Sequence, residues 1–553
     1  MKIWNGSFLT IFALLFLSVP ATFDLTTPGF YTSHDGETHT ARIAQYFQSL
    51  GDGQLPPRIA PTLYNGYGSP IFTYIYPLPY VLGSFVHFLH FSYTDSFKIL
   101  MISGFITSGL FSRLWFKEVF GSEKAAFIGA LYYTWVPYRL QLMYVRGSIS
   151  ELLAYTFLPL TFFCFGKLSK EGSIFWISTS AVSLSLVLLS QNLVALMTLP
   201  ILAVYVLIIA KKRSSLIKST ASIIWAFMIA AVTYLPSLFE RNFVRFDEII
   251  NIAYSTHFVT LSQLFHSPWG YGFDFPGTLG DQLSFQIGLA HIIVVIFATF
   301  LIIKKLLKRF VVDLPLFFLI VFLVSVFLML DTKPNSYIWQ HFKILHTIDI
   351  PWRFLGVTAI SSSFLAAFVV KTQKSSAVFL LLALFVIVAN RNHLRINEPV
   401  ERTDQFFEQY QGTATQYNEF TPIWRQTTSP PEISSEKTHV LNGDAKVTNF
   451  KSDSKSIKFD ANVQSQTAQI RIDKYYFPNT KTNLGEISFS DTKTKILEGE
   501  KDGSGLIIIS LPSGFHQVSI KYQETRLRMF ANYLTTISLS LALFLILKNV
   551  KRA

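Results

Sequence analysis

Cysteine is almost missing from this sequence. The single Cys164 lies inside an apolar run of a chain of 553 residues. Intrachain disulfide bonds and zinc sites built from cysteine are therefore excluded, as is a thiol nucleophile in the soluble parts. The chain also has no Walker loop, dinucleotide fingerprint, His-Glu-x-x-His helix or Gly-x-Ser-x-Gly elbow. ATP-driven transport and serine hydrolysis therefore have no support in the sequence.

Acidic residues are also scarce, with 34 Asp and Glu against 47 Lys and Arg, which gives a net charge of +13. The basic residues stand in short clusters between apolar runs, as at Lys211–Arg213 and Lys304–Arg309. This distribution is typical of cytoplasmic loops between membrane helices, and it does not indicate a nucleic-acid partner. Half of the residues are apolar and the mean hydropathy is +0.37. The composition predicts a multi-pass protein of the lipid bilayer.

Apolar segments of roughly spanning length occur at thirteen places along the chain: 4–22, 71–91, 96–116, 125–142, 151–168, 174–191, 192–210, 219–236, 285–303, 312–330, 353–370, 376–391 and 529–547. The basic clusters predict that both termini are cytoplasmic, so the number of crossings is even. We expect 71–91 to lie in the interface instead of crossing, because it carries two prolines and two histidines among many aromatic residues. About twelve transmembrane helices remain. As an alternative, residues 1–22 form a cleaved signal peptide.

The sequence divides into three parts. Residues 1–391 are predicted to form a transmembrane bundle with outside loops at 23–95 and 237–284. Residues 392–528 contain short alternating runs separated by turn residues, such as Ser456–Ala461, and are typical of an extracytoplasmic β-sandwich domain. Residues 529–553 provide a final transmembrane helix and a basic cytoplasmic tail. The predicted location is the plasma or inner membrane of a cell, with the β-rich domain outside.

The most informative polar motif is Ser33–His39, shortly after the first apolar run. Asp35, His39 and Arg42 share one face of a predicted helix. Asp35 also forms an Asp-x-Glu pair with Glu37, whose oxygens suit a divalent cation. A carboxylate at the outer mouth of a membrane bundle is a candidate general base. The alternative is that Asp35 is only a helix N-cap.

Two arginines lie near predicted span ends, and one of them, Arg353, is a candidate for binding a phosphate. Arg146 precedes Glu151 on an outside turn, and Arg353 opens the span 353–370 after Asp349-Ile-Pro-Trp. The planar guanidinium group can hold a phosphate through paired hydrogen bonds. The alternatives are a juxtamembrane salt bridge between Arg146 and Glu151, and an interfacial anchor at Trp352 and Arg353.

Other candidates are assigned only to the lining of a site. They are Tyr64 and Tyr67 in an aromatic, glycine-rich loop, and His257 and Asp281 in the loop 237–284. The spacing of the loop residues matches no metal signature. The aromatic loop is also compatible with a tight turn, and Asp281 with a helix cap.

Taken together, these residues resemble those of the GT-C superfamily of membrane glycosyltransferases. The order of parts is similar: a first span, an outside Asp, an interfacial Pro-rich helix, a helical bundle and an outer β-domain. The chain most resembles bacterial membrane proteins catalogued as "6-pyruvoyl-tetrahydropterin synthase-related". The matching segments are His34–His39, Tyr64–Pro70 with Tyr76–Leu78, Arg146–Leu153, Pro351–Phe354 and Leu511–Arg526. No cluster of three histidines accompanies this resemblance, so pterin chemistry is not expected. Related chains often have Gly-Trp where this one has Asn479-Thr480.

The resemblance implies transfer of a sugar from a polyprenyl-phosphate donor to a glycan, lipid or protein acceptor at the extracytoplasmic face. Asp35 would be the general base, a role typically worth about 10²–10⁴-fold in rate. Arg353 or Arg146 would stabilise the leaving phosphate, and a divalent cation on Asp35 and Glu37 could share that role. Two other functions stay open, namely a transporter or flippase of lipid-linked glycans and a non-catalytic scaffold for envelope assembly.

Overall fold

The computed structural model describes residues 6–273, 283–413, 415, 418–482, 496–497 and 504–550. Its α-helices, in chain order, are α1 Gly6–Thr22, α2 Gly36–Gly51, α3 Ile71–Tyr74, α4 Leu78–Phe88, α5 Tyr93–Phe120, α6 Glu123–Thr134, α7 Pro137–Gln141, α8 Ile149–Glu171, α9 Ile174–Ser190, α10 Asn192–Ile209, α11 Arg213–Ile229, α12 Ala231–Phe239, α13 Phe246–Ala253, α14 Leu261–Phe265, α15 Leu289–Leu307, α16 Asp313–Met329, α17 Lys333–His341, α18 Leu355–Gln373, α19 Ser376–Asn390, α20 Asp404–Glu408 and α21 Arg526–Asn549. The strands are β1 Phe30–Tyr31, β2 Pro399–Val400, β3 Thr438–Asn442, β4 Ala445–Ser452, β5 Ser456–Tyr475, β6 Thr480–Thr482, β7 Ile496–Leu497 and β8 Leu506–Tyr522.

Eight helical segments of the described chain are long and apolar enough to cross a membrane: Gly6–Thr26, Tyr93–Phe120, Ile149–Glu171, Asn192–Ile209, Leu289–Leu307, Pro351–Gln373, Ser376–His393 and Arg526–Asn549. They contain α1, α5, α8, α10, α15, α18, α19 and α21, and short 3-10 turns lengthen α1, α18 and α19. A ninth crossing is counted if α11 and α12, which are bent by 75° at their junction, form one broken span. Two further apolar helices, α9 and α16, have 17 residues each. The chain is thus a largely helical membrane protein, and the predicted number of twelve crossings is not confirmed.

The predicted span over 125–142 is not one continuous helix. Helix α6 ends at Thr134 and a separate helix, α7, begins at Pro137. Val136 between them has an extended backbone, as expected for a residue that precedes a proline. The proline ring removes a backbone donor and starts the next helix, so the apolar run is divided at this point.

Residues 71–91 also do not form one long helix. They contain the short α3 and α4, which are separated by the segment around Pro77. One face of α4 packs on α2 through Tyr80, and the other exposes apolar side chains such as Phe85 and Phe88. Neither helix is long enough to span, so their arrangement agrees with an interfacial element.

Helix α18 lies at the centre of the bundle, with α6, α15 and α16 packed around it. Aromatic rings fill this core. Phe364 of α18 stacks on Phe318, with ring centroids 4.1 Å apart, and both contact Trp115 of α5. Such pairs contribute about 0.5–1.5 kcal/mol each beyond the area they bury. The phenylalanine-rich composition therefore has a packing role in the bundle.

The C-terminal region contains an antiparallel sheet of six described strands, built on the pairing of the two long strands β5 and β8. The register of this pair shifts between Val463 and Thr467, and the residues on both sides of the shift share one buried apolar cluster. Strands β3 to β8 form a single hydrogen-bonded sheet, so the predicted sandwich is not confirmed. We call the end of the bundle that carries this sheet the sheet side.

The sheet is attached to the loop that follows α2. Lys474 of β5 donates to the carbonyls of Pro61 and Gly66 at 3.0 and 2.7 Å, and the backbone N–H of Tyr475 donates to the carbonyl of Tyr67 at 3.0 Å. A second attachment is the antiparallel pairing of β1 with β2. The segments around Asp35 are therefore held between the bundle and the sheet region.

Candidate active site

Asp35 lies on the sheet side, immediately before α2. Its backbone N–H donates to the carbonyl of Arg146 at 2.7 Å, and that of His34 donates to Val145 at 3.1 Å. These bonds hold the motif against the turn that contains Gly147. A Cβ at Gly147 would lie 2.8 Å from backbone atoms of Gly36, and its φ is +63°, so glycine is required at this crossing.

Asp35 occupies the N-cap position of α2, but its side chain makes no capping hydrogen bond. The carboxylate instead faces Arg146, with 3.3 Å between Oδ2 and Nη2. The capping alternative therefore accounts for the position of Asp35 but not for the direction of its side chain. The remaining carboxylate surface is open, since 43% of the side chain is exposed.

A chain of alternating charges runs from Asp35 into the bundle. Arg146 donates to Glu151 at 2.7 Å, and Arg353 approaches the same Glu151 oxygen at 3.4 Å. Arg353 also pairs with Asp349 at 3.2 Å. Glu151 is completely buried, whereas Asp35 is the most exposed member. The predicted salt bridge between Arg146 and Glu151 is thus present as part of a larger network.

Aromatic residues complete the surroundings of this network. The hydroxyl of Tyr138 donates to Glu151, and the guanidinium of Arg146 lies over the ring of Trp352 at 5.1 Å. Arginine stacked on a ring and paired with carboxylates is held in one orientation. Both arginines predicted to bind a phosphate are therefore already engaged by carboxylates in this structure.

The electrostatic surroundings keep Asp35 ionised. Burial raises the pKa of its carboxyl, but the charges of Arg146, His39, His34 and Arg353 outweigh burial and lower the pKa below its ordinary value of 3.8. A carboxylate in this state is a hydrogen-bond acceptor across the physiological pH range. It can orient a hydroxyl group and accept its proton as that group reacts.

His39 and Arg42 lie on the same helix face as Asp35, as predicted, but both are directed to Tyr80 of α4. His39 Nδ1 and Arg42 Nη1 are each 3.1 Å from the Tyr80 hydroxyl. Burial, together with the neighbouring charge of Arg42, lowers the pKa of His39 to about 3. His39 is therefore neutral at physiological pH and serves to position its neighbours instead of carrying a charge.

Glu37 points away from Asp35. Its carboxylate pairs with Arg402 at 3.0 Å, and Arg402 lies over the ring of Phe406. The two carboxylates predicted to share a divalent cation thus face different arginines. In the part of the chain that the structure describes, no group of three or more His, Cys, Asp or Glu could hold a metal ion. The metal site stays a prediction.

The other predicted lining residues are spread over the sheet side. Tyr64 and Tyr67 pack against Tyr475, and the Tyr67 hydroxyl donates to Glu432 at 3.0 Å, so both tyrosines belong to the contact with the sheet. His257 is buried in the segment after α13, where its backbone N–H donates to the carbonyl of Tyr254. Asp281 lies outside the described residues.

Several site residues were not predicted from the sequence. Asp349 stands four residues before Arg353, a spacing that could have suggested the pair. Tyr138 and Tyr80 carry no local signal, because their partners are distant in sequence. Glu419 comes from the region before the sheet; burial raises its pKa, Asp349 raises it further and Arg42 lowers it, which places Glu419 in the field of the site.

Comparisons with known proteins match this sequence to a family of membrane proteins. A family model described as "6-pyruvoyl-tetrahydropterin synthase related domain; membrane protein" matches residues 72–395. A curated relative, an uncharacterized protein of Lactococcus lactis subsp. cremoris (strain MG1363), is 25% identical over 219 residues. That alignment covers 39% of this chain and 35% of the relative. The chain therefore matches about a third of the relative's length.

Among solved structures, the apo oligosaccharyltransferase of Archaeoglobus fulgidus aligns with 75% of this chain and 57% of its own, at 12% identity and a TM-score of 0.42. The archaeal oligosaccharyltransferase AglB from Archaeoglobus fulgidus, in complex with an inhibitory peptide and a dolichol-phosphate, aligns with 74% of this chain and 57% of its own. Its identity is 13% and its TM-score is 0.40. The family match covers more than half of the sequence. The chain therefore belongs to the 6-pyruvoyl-tetrahydropterin synthase related family of membrane proteins.

Proposed function

We propose that this chain is a membrane glycosyltransferase that moves a sugar from a polyprenyl-phosphate donor to an acceptor on the sheet side. The observation that supports this proposal is that the Asp35 carboxylate is both ionised and exposed. Its side chain is 43% exposed, whereas Arg146 and Glu151 behind it are 5% and 0% exposed. In this network the other charges are buried, and one ionised carboxylate is presented at a membrane surface. This arrangement suits a catalytic role of Asp35 better than a purely structural one.

The position of the site fits a lipid-linked substrate. A long polyprenyl chain stays in the bilayer, so its phosphate and sugar must be met at the membrane surface. Asp35 lies next to the turn that leads into α8, a helix long and apolar enough to span. The charge pattern predicts that the sheet side is extracytoplasmic. The acceptor would approach from water, on the exposed side of the carboxylate.

In the proposed reaction, an acceptor hydroxyl oxygen attacks the anomeric carbon of the donor sugar. The bond from that carbon to the phosphate oxygen breaks, and its electron pair leaves with the polyprenyl phosphate. The hydroxyl proton passes to Asp35. Arg146, whose Nη2 lies 3.3 Å from Asp35, is the nearest cation for the leaving phosphate, and Arg353 supports it through the shared Glu151.

The test is sugar transfer by the purified full chain in lipid, with a panel of polyprenyl-phosphate sugars. We expect Asp35→Asn to lower the rate by about 10²–10⁴-fold, the usual loss when a general base is removed. Glu37→Gln is the matched variant, because Glu37 is two residues away but pairs with Arg402. It should keep most of the activity. Thermal unfolding of each variant checks that it is folded.

The other outcomes are distinct. Equal transfer by wild type and Asp35→Asn would reject Asp35 as the base and favour Glu37 or Glu151. Loss of activity in both variants, together with inhibition by a chelator, would favour the predicted divalent cation on Asp35 and Glu37. If the folded wild-type protein turns over no donor in the panel, the enzyme proposal fails, and glycan transport or envelope scaffolding would be favoured.

A further inference from the structure

A second polar cavity on the sheet side does not belong to the Asp35 site. It has a volume of about 290 Å³ and lies where the loop after α2, the sheet and the first turn of α21 meet. Its charged lining residues are Arg58, Lys455, Glu524 and Arg528. Three cations and one carboxylate therefore surround a small space at the junction of three parts of the fold.

Arg58 holds this junction together. Its guanidinium donates to Glu524 at 3.0 Å, to the carbonyl of Val232 at 3.0 Å and to the side-chain oxygen of Asn532 at 2.8 Å. These partners lie before α21, in α12 and in α21 itself. Arg58 therefore fixes the walls of the cavity.

Arg528 and Glu524 retain unused hydrogen-bonding groups. Arg528 is 3% exposed, and its Nε donates to Glu240 at 2.6 Å, but its buried Nη2 has no partner in the described chain. The Oε2 atom of Glu524 is likewise buried without a partner among the described residues. Leaving a buried charged group unsatisfied is costly, so one unpaired donor and one unpaired acceptor on two residues that line the same cavity indicate a missing ligand.

Lys455 supplies a further donor at the edge of the cavity. Its ammonium group donates to the carbonyl of Gly53 at 2.9 Å, which leaves two of its three N–H groups. The lining cations exceed the lining carboxylates by two, and Glu240 behind Arg528 reduces this excess to one. The cavity is therefore suited to a ligand with a single negative charge.

The cavity lies at the beginning of a helix that is apolar enough to cross a membrane. Arg528 is in the first turn of α21, which is long and apolar enough to span the membrane. Next to it, Phe530 and Tyr533 expose 59% and 68% of their surfaces, and Leu55 of the cavity wall exposes 85%. Exposed aromatic and aliphatic side chains at the beginning of a membrane helix are typical of the bilayer interface.

We propose that this cavity binds the phosphodiester headgroup of a phospholipid from the leaflet on the sheet side. The phosphate would accept hydrogen bonds from Arg528 Nη2 and from Lys455. A hydroxyl or ammonium group of the headgroup would donate to Glu524 Oε2. The bound lipid would connect the loop after α2, the sheet and α21. This role is separate from the transfer reaction, and its failure would leave the assignment of Asp35 unaffected.

The experiment measures the thermal unfolding midpoint of the delipidated full chain in detergent as phosphatidylglycerol is added. Diacylglycerol, which lacks the phosphate, and inorganic phosphate are the comparison probes. We expect phosphatidylglycerol to raise the midpoint by several degrees and the other two to have little effect. Lys455→Met should weaken the apparent affinity about tenfold, the usual loss for one charge-assisted hydrogen bond.

Lys458→Met is the matched control, because Lys458 is an exposed lysine of β5, three residues after Lys455, and does not line the cavity. It should respond to phosphatidylglycerol like the wild-type protein. An equal response of wild type and Lys455→Met would overturn the proposal, as would equal stabilisation by diacylglycerol. Equal stabilisation by inorganic phosphate would assign the cavity to a free phosphate and overturn the lipid as its source.

Discussion

Glu151 is the residue on which the charge network depends. It is fully buried and is the shared partner of two arginines, with Arg146 at 2.7 Å and Arg353 at 3.4 Å. In a buried network, removing one charge leaves its partners uncompensated, and this usually destabilises more than the intact pair stabilises. Glu151 therefore has a structural role in holding Arg146 against Asp35.

We predict that Glu151→Gln lowers the free energy of unfolding by about 3–5 kcal/mol, because both arginines lose their buried counter-charge. Glu171→Gln is the control on the same helix. Glu171 is 42% exposed and pairs with Lys167, so its loss should change stability by about 0.5 kcal/mol or less. Denaturant unfolding in detergent compares the two. If both substitutions lower the free energy of unfolding equally, the buried charge network is not the cause of the destabilisation.

The pH dependence of transfer follows from the lowered pKa of Asp35. A carboxyl group whose pKa is lowered in the folded state keeps its charge until the pH falls through that lowered value. Protonation of Asp35 should therefore not lower the transfer rate until the pH falls below 3.8. In the plot of rate against pH, the fall at low pH (the acidic limb) that is due to Asp35 should lie below this value. Initial rates measured across the acid range test this, with unfolding checked at each pH.

The charge of His34 contributes to that lowered pKa. His34→Gln should therefore move the acidic limb to higher pH, because a cation near the carboxylate is removed. His439→Gln, in the sheet strand β3, is the matched substitution and should leave the limb unchanged. A limb that moves equally in both variants would indicate a general loss of stability at low pH instead of titration of Asp35.

At the scale of elements, most of the helices could be predicted from the sequence because long apolar runs report burial in lipid directly. The break at Trp135 and Val136 was missed, since hydropathy averaged over a window hides a single proline. Alternation of apolar and polar residues correctly predicted the strand that begins at Ser456. It could not show how the strands combine, because pairing in β5 and β8 depends on contacts between segments distant in sequence.

The packing of α18 on α8 gives a prediction at the same scale. A Cβ added at Gly356 would overlap the hydroxyl of Tyr155. We expect Gly356→Ala to lower the unfolding midpoint, at a cost of about 1–3 kcal/mol, because the two helices must separate or Tyr155 must move. Gly51→Ala is the control, since a Cβ there meets nothing within 4 Å. A midpoint for Gly356→Ala as high as that of the control would contradict this packing.

At the scale of the whole molecule, the sheet is joined to the bundle partly through Lys474. Burial lowers the pKa of Lys474 to about 8. The unfolded chain, with a lysine pKa near its ordinary 10.5, binds more protons than the folded chain between these values. Stability therefore gains a contribution that rises as the pH increases from about 8 to 10.5 and is absent below this window.

The contact of Lys474 with the loop after α2 is tested by measuring the free energy of unfolding of wild type and Lys474→Met across this pH window. The variant should lack the rise that wild type shows, because it has no group to titrate. Lys446→Met, at an exposed position of β4, should keep the rise. Identical pH profiles for wild type and Lys474→Met would show that Lys474 is not buried between the sheet and the loop.

The candidate site itself could be predicted only in part. Asp35, Arg146, Glu151 and Arg353 were named from their motifs, and the structure brings these four together. Their pairing was not predictable, because Arg146 contacts an aspartate 111 residues away in the chain. The motifs indicated which charged residues are unusual for a membrane protein. The ion pairs between these residues are determined by the fold.

The pairing of β1 with β2 has a consequence for biogenesis. Phe30 and Tyr31 leave the ribosome early, but their partners Pro399 and Val400 follow only after most of the helices have been made. The same delay separates Glu37 from Arg402, which are 365 residues apart. The surroundings of Asp35 are therefore completed late in synthesis, and a nascent chain shorter than about 400 residues keeps its first polar loop unclosed. Synthesis past Arg402 thus precedes assembly of the candidate site.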